Sequence, residues 1–141
     1  MAATMQLDIA STESRIFSGR VESLVCTGTL GDMGILPGHA PLLSALIPGP
    51  VRLMTAEGQE MIFYVSGGYL EVQPGVVNIL ADTAIRADDM DEAQAEQAKK
   101  DVEAAIANRD AEFEYSRAAT QLAEAAAQIR TIQQLRKKLG Q

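Results

Sequence analysis

Apolar and polar residues alternate with a period of two along the first half of the chain. Leu7 and Ile9 alternate with Gln6 and Asp8, and Val51, Leu53 and Thr55 with Arg52 and Met54. Met61, Phe63 and Val65 fall on one face of a run whose other face carries Ile62 and Tyr64. Leu70 and Val72 oppose Tyr69, Glu71 and Gln73, and Val77, Ile79 and Ala81 continue the pattern. Successive side chains of an extended chain point to opposite faces, so these runs predict short strands. Turn residues separate them at Glu57-Gly58, Gly67-Gly68 and Pro74-Gly75. The last pair reads as a tight reversal, because proline presets the second turn position and glycine accepts a positive φ at the third. Val21–Thr27 is strand-like too, whereas Gly31, Gly34, Pro37, Gly38 and Pro41 make 28–41 a structured loop. Short strands at this spacing predict an antiparallel β-sandwich or barrel over residues 1–86.

The period then changes. Ala95, Ala98, Val102, Ala105 and Ile106 follow three–four spacing, which predicts a helix ending near Asn108. Asp89, with Glu92 three residues later, fits a capping box at its start. After a polar break over Asn108–Tyr115, a second helix from Ser116 carries the stripe Leu122, Ala125, Ile129, Ile132, Leu135 and Leu139. Two helices with a short link predict an antiparallel hairpin over 87–141. Punctuation agrees: all five prolines and ten of the eleven glycines precede residue 76, while thirteen alanines follow Asp88.

The alanine stripe has an energetic meaning. Burial contributes about 0.8 kcal/mol per CH₂, so alanine adds far less adhesion than leucine. Alanine also has the highest helix propensity, so each helix stays helical whether docked or not. Two arrangements fit: a permanently docked hairpin with a small-residue seam, which pattern alone favours, or stiff rods that leave the sandwich.

Composition then narrows the function. A chain that is 47% hydrophobic has a core, and no apolar run approaches the ~18–20 residues of a membrane helix. No export or transit signal is visible in residues 1–15. Twelve basic against nineteen acidic residues give −7, the wrong sign for neutralising nucleic-acid phosphates. One cysteine, Cys26, cannot form an internal disulfide and reads as a small core residue. One histidine makes a Cys/His zinc site improbable. No phosphate-binding glycine–lysine loop, dinucleotide fingerprint or nucleophile elbow is present. His39 has Ser44 nearby but no placed acid, which does not make a triad. Ser66 before Gly67-Gly68 reads as a hairpin turn. The sequence therefore predicts a non-catalytic protein that needs no cofactor or metal. Against the overall negative charge, residues 130–138 hold Arg130, Arg136, Lys137 and Lys138 and no acid. Cations at a helix C-terminus complement its dipole, and this is the plainer explanation; a basic tip for an acidic partner is the functional one.

Several stretches carry a resemblance. They are Gly31-Asp32-Met33-Gly34-Ile35-Leu36-Pro37-Gly38-His39-Ala40-Pro41-Leu42, Tyr64-Val65-Ser66-Gly67-Gly68-Tyr69-Leu70-Glu71-Val72, Leu80-Ala81-Asp82-Thr83-Ala84-Ile85-Arg86, and Ile132-Gln133-Gln134-Leu135-Arg136-Lys137-Lys138-Leu139. In this order they resemble the epsilon subunit of the bacterial proton-translocating F-type ATP synthase. The resemblance implies a rotor subunit of the central stalk, peripheral on the cytoplasmic face of the inner membrane. Its sandwich would grip the gamma subunit and rest on the membrane ring, with Asp32 and His39 at that contact. Its helices would extend between the alpha and beta subunits of the catalytic head and block hydrolysis, with Arg130, Arg136, Lys137 and Lys138 meeting an acidic segment of beta. A helix from Ser116 to Leu139 would be ~36 Å long, enough to reach into such an assembly. An ATP-binding sensor of the same fold is the alternative. Nucleotide-binding members open the first helix with Ile/Leu-Asp-x-x-Arg-Ala, and Met90-Asp91-Glu92-Ala93-Gln94-Ala95 places Gln94 where the arginine belongs. Glutamine brings no charge to a phosphate, so ATP binding is expected to be absent or feeble.

Overall fold

The computed structural model describes residues 3–90, 92–108 and 115–138. Among these residues nine strands are followed by a 3₁₀ turn and two α-helices. The strands are β1 (Met5–Ser11), β2 (Arg15–Gly28), β3 (Gly31–Ile35), β4 (Leu42–Leu46), β5 (Gly49–Thr55), β6 (Glu60–Val65), β7 (Gly68–Gln73), β8 (Val76–Ala81) and β9 (Ala84–Arg86). The helices are α1 (Glu92–Asn108) and α2 (Tyr115–Lys138).

Strand pairing folds into a sandwich. β1, β8, β7 and β4 make one layer, and β5, β6 and β9 extend the other, with β3 paired to β2. β2 belongs to both layers: Arg15–Val21 pairs with β1, Val21–Val25 with β5, and Leu24–Gly28 with β3. Its register against β5 shifts between Val21 and Ser23, which gives Glu22 no partner on that strand. Such a bulge resets the alternation. Val21 and Leu24, three apart, therefore both point into the core.

The alternation read from the sequence is present in the core. Leu7, Ile9, Val51, Leu53, Phe63, Val65, Leu70, Val72, Val77 and Ile79 form one buried cluster with Val21, Leu24 and Cys26. Phe17 and Phe63 add an edge-to-face pair with ring centroids 5.8 Å apart. The Cys26 thiol is pushed up to about 12, chiefly by burial and then by the Asp32 carboxylate, which fits a core residue and not a nucleophile. Pro74-Gly75 is the two-residue reversal expected, with Gln73 facing Val76 and Gly75 at φ +75°.

Three local expectations are corrected. The stretch 28–41 is not all loop: β3 pairs with β2 from Leu24↔Ile35 to Gly28↔Gly31, and only the part from Leu36 to Pro41 stays irregular. Glycines at 31 and 34 hid the strand because they carry no side chain to register a period. Gly67-Gly68 is not a hairpin turn, since β6 and β7 do not pair; it is the corner where the chain crosses between layers, with φ +124° and +133°. Asp89 does not cap α1: Ala87–Asp89 is a separate 3₁₀ turn, and the helix begins at Glu92. The polar break at 109–114 and Leu139 lie outside the described residues.

α2 packs against α1 on one side and against β5 and β6 on another. This second cover buries Ile62 and Tyr64 on the outer face of β6 as fully as Phe63 and Val65 on the inner one. Of the expected stripe, Ala125 and Ile132 are buried and Leu122, Ile129 and Leu135 half-buried. Ala127 and Thr131 are also wholly buried, on a second face that the stripe did not include.

Candidate docking surfaces

The two layers differ on their outer faces. α2 covers β5 and β6, while among the described residues no helix packs on the outer face of β4, β7, β8 and β1, which is left bare. Cross-strand register sets Ala45, Tyr69, Leu80 and Ala10 side by side along it. Leu43 stands one row away, opposite Glu71. Leu43 is 71% exposed, Tyr69 58% and Leu80 61%. Large apolar side chains exposed together on a flat sheet mark a surface built to be covered. The period-two pattern places Tyr69 outward; Leu43 and Leu80 show as outward only once β4 and β8 are aligned with β7.

A second exposed region lies around β3. Leu30, at the tip of the β2–β3 hairpin, is fully exposed, and Leu36 is 62% exposed. Asp32 is exposed beside this tip and accepts a hydrogen bond from Thr27 Oγ1 at 3.3 Å. His39 is exposed in the loop leading to β4; its backbone N–H donates to the Leu36 carbonyl at 3.1 Å, and its Nδ1 lies 2.7 Å from the Ala40 carbonyl. Gly38 holds φ +86° just before it. Asp32 and His39 are each fixed by their own neighbours, and both face outward.

The basic end of α2 lies against the sandwich. Arg130 Nη2 donates to the Pro48 carbonyl at 3.3 Å, and Lys138 Nζ donates to the Glu60 carbonyl. Arg136 and Lys137 are exposed. Beneath the helix Tyr64 is buried, and its Oη has no hydrogen bond of acceptable geometry. Burial first, and the Glu124 carboxylate second, push its phenol up to about 12, with the Gln128 side chain pulling the other way.

Between the helices is a cleft of about 340 Å³ lined by Ala98, Asp101, Val102, Gln121, Glu124, Ala125 and Gln128. Its described lining residues include two carboxylates and no Lys or Arg, the reverse of what a phosphate requires. Gln94 is exposed on α1. Among the described residues no cluster of His, Cys, Asp and Glu could hold a metal ion.

Comparison with known proteins decides the family. The model "ATP synthase, Delta/Epsilon chain, beta-sandwich domain" matches residues 4–87, and "ATP synthase, Delta/Epsilon chain, long alpha-helix domain" matches 88–133. The chain belongs to the ATP synthase delta/epsilon family. It is 61% identical over 139 residues to the ATP synthase epsilon chain of Teredinibacter turnerae, covering 98% of this chain and 99% of that one. With the ATP synthase epsilon chain of Chromohalobacter salexigens it shares 57% over 136 residues, 96% of each. The fold is similar to a chain in the Euglena gracilis mitochondrial ATP synthase, described as OSCP/F1/c-ring in rotational state 1. That match has a TM-score of 0.74 at 20% identity and covers 97% of this chain and 82% of that one. A chain of the Tetrahymena thermophila mitochondrial ATP synthase central stalk and c-ring is similar at TM-score 0.55 and 14% identity, covering 94% and 96%. In this family frame the bare sheet, the β3 tip and the basic helix end are candidate subunit contacts and not parts of a catalytic pocket.

Proposed function

We propose that the chain is the epsilon subunit of an F-type ATP synthase, a non-catalytic central-stalk part that couples proton flow through the membrane ring to ATP synthesis. The bare apolar row of Ala45, Tyr69, Leu80 and Ala10 carries this reading, because it gives the sandwich a rigid face for a neighbouring stalk subunit while α2 occupies the other. Sequence identity of 61% to an ATP synthase epsilon chain supports it across nearly the whole chain. Gamma is the partner assigned to this row. Asp32 and His39 are assigned to the ring contact, with Leu30 supplying apolar area at the tip.

Residues 1–86 form the stalk-binding unit and 87–141 the regulatory one. In that reading the helices leave the sandwich and enter the catalytic head, where Arg130, Arg136, Lys137 and Lys138 meet an acidic segment of beta and stop hydrolysis. Charge complementarity of this kind favours encounter and register more than affinity. The assembly is placed at the cytoplasmic face of the bacterial inner membrane, with this chain peripheral; no described helix is long and apolar enough to cross a membrane. Deleting residues 117–141 is expected to raise ATP hydrolysis by the assembled enzyme while assembly persists. Unchanged hydrolysis would remove the inhibitory role. A tagged copy that retains neither gamma nor ring subunits in mild detergent would remove the stalk role.

A further inference from the structure

Two cations of α2 reach back to the sandwich backbone, one at each end of the β5–β6 hairpin. Arg130 bonds the carbonyl of Pro48, which immediately precedes the Gly49↔Val65 end. Lys138 bonds the carbonyl of Glu60, which sits at the turn end opposite Met54. Eight residues separate these cations, about 12 Å of helix and roughly 80° of rotation. Ala127 and Thr131, both wholly buried, and Gln134 fall on the same side of the helix. On the sandwich side of the seam Ile62 and Tyr64 are buried, and Leu135 of α2 lines a small cavity with Met61 and Ile62; elsewhere along this face α2 adds little adhesion. Ala127 contributes one methyl group, and the Thr131 hydroxyl turns back on its own helix to the Ala127 carbonyl at 2.8 Å. Tyr64 Oη and Gln134 Oε1 are buried without partners. Unpaired buried polar atoms oppose docking.

We propose that Arg130 and Lys138 form a two-point latch holding α2 on the sandwich, and that the latch is exclusive. A cation bonded to Pro48 or Glu60 is withheld from any acidic partner, so freeing the helix and presenting its positive end are one event. The latch is a property of the isolated chain; only the partner that receives the freed charges rests on the function proposed above.

The latch is tested on the full-length chain, spin-labelled at Glu57→Cys in the exposed β5–β6 turn and Gln133→Cys on exposed α2, with Cys26 shielded by the core. Arg130→Gln and Lys138→Gln are each expected to lower the docked-to-undocked ratio roughly two- to five-fold, as exposed charge-assisted bonds do. Arg130→Lys and Lys138→Arg should retain most of it. Unchanged distance distributions in both glutamine variants would overturn the latch, as would equal losses in the charge-keeping pair. Exclusivity is read with poly-L-glutamate as the acidic probe. Ala127→Leu, which overfills the seam, should bind the probe several-fold more tightly than the unmodified chain and lose that gain when Arg130→Gln and Lys138→Gln are added. Equal binding by the unmodified chain and Ala127→Leu would overturn it. Neither readout uses hydrolysis, so failure of the latch and failure of the inhibitory role are separable.

Discussion

The carbonyl oxygen of Leu80 stands 2.0 Å from the point a Cβ on Gly68 would occupy. No side chain fits there, and the Gly68 φ of +133° is one that L-residues rarely adopt. Gly68 is also where β7 meets both Leu46 of β4 and Ala81 of β8. Gly68→Ala is expected to destabilise the sandwich by about 2–4 kcal/mol, through displaced backbone and left-handed strain together. Urea unfolding followed by circular dichroism checks this; a loss below half a kcal/mol would contradict it.

Tyr64 makes docking of α2 pH-dependent. Its phenol is raised from the ordinary 10.0 to about 12 when the helix covers it. The protonated form is favoured in the docked state, so this contribution is fully present below pH 10 and is lost as pH rises toward 12. The two-unit difference is worth at most about 2–3 kcal/mol. Comparing docked populations of the unmodified chain and Tyr64→Phe between pH 9 and 12 isolates it, since other groups titrate equally in both. Parallel pH curves would sink the idea, and so would a phenol absorbance titration in which every tyrosine ionises near 10.

The bare face predicts a loss of association without a loss of fold. Leu80 and Tyr69 are exposed in the chain alone, so Leu80→Asp and Tyr69→Asp should leave its melting temperature within a degree or two. Each should weaken binding to the gamma subunit roughly tenfold or more, as a charge does at the centre of an apolar contact. Titration calorimetry with purified gamma is the measurement. Binding at full strength by both variants would move the stalk contact elsewhere.

Much of this fold was legible from the sequence because half-buried strands announce themselves by period two and alanine-rich helices by composition. The failures have physical causes. β3 was hidden by glycines that register no period, and burial of Ile62 and Tyr64 on the outer face of β6 comes from a helix far along the chain. Ala127 and Thr131 were missed because small or polar residues do not stand out as core, although both are wholly buried. Arg130 and Lys138 were legible as cations but not as ligands of the sandwich, because their acceptors are main-chain carbonyls, which every sequence has everywhere. Leu43 and Leu80 became a surface only through register with Tyr69.

The helix cleft predicts the outcome for nucleotide. Asp101 and Glu124 line it, and no Lys or Arg is among its described lining residues. Calorimetry of the full-length chain with ATP and Mg²⁺ is expected to give no saturable heat at micromolar concentrations. A micromolar dissociation constant would restore the sensor reading.

β2 gives the sandwich a mechanical character that stacked sheets joined only by side chains lack. Its fourteen residues are shared between the two layers. Sliding one layer past the other would have to stretch a continuous peptide chain and shear the hydrogen bonds on both flanks together. A twisting load applied to one face thus reaches the opposite face through covalent bonds, with little slack to absorb it.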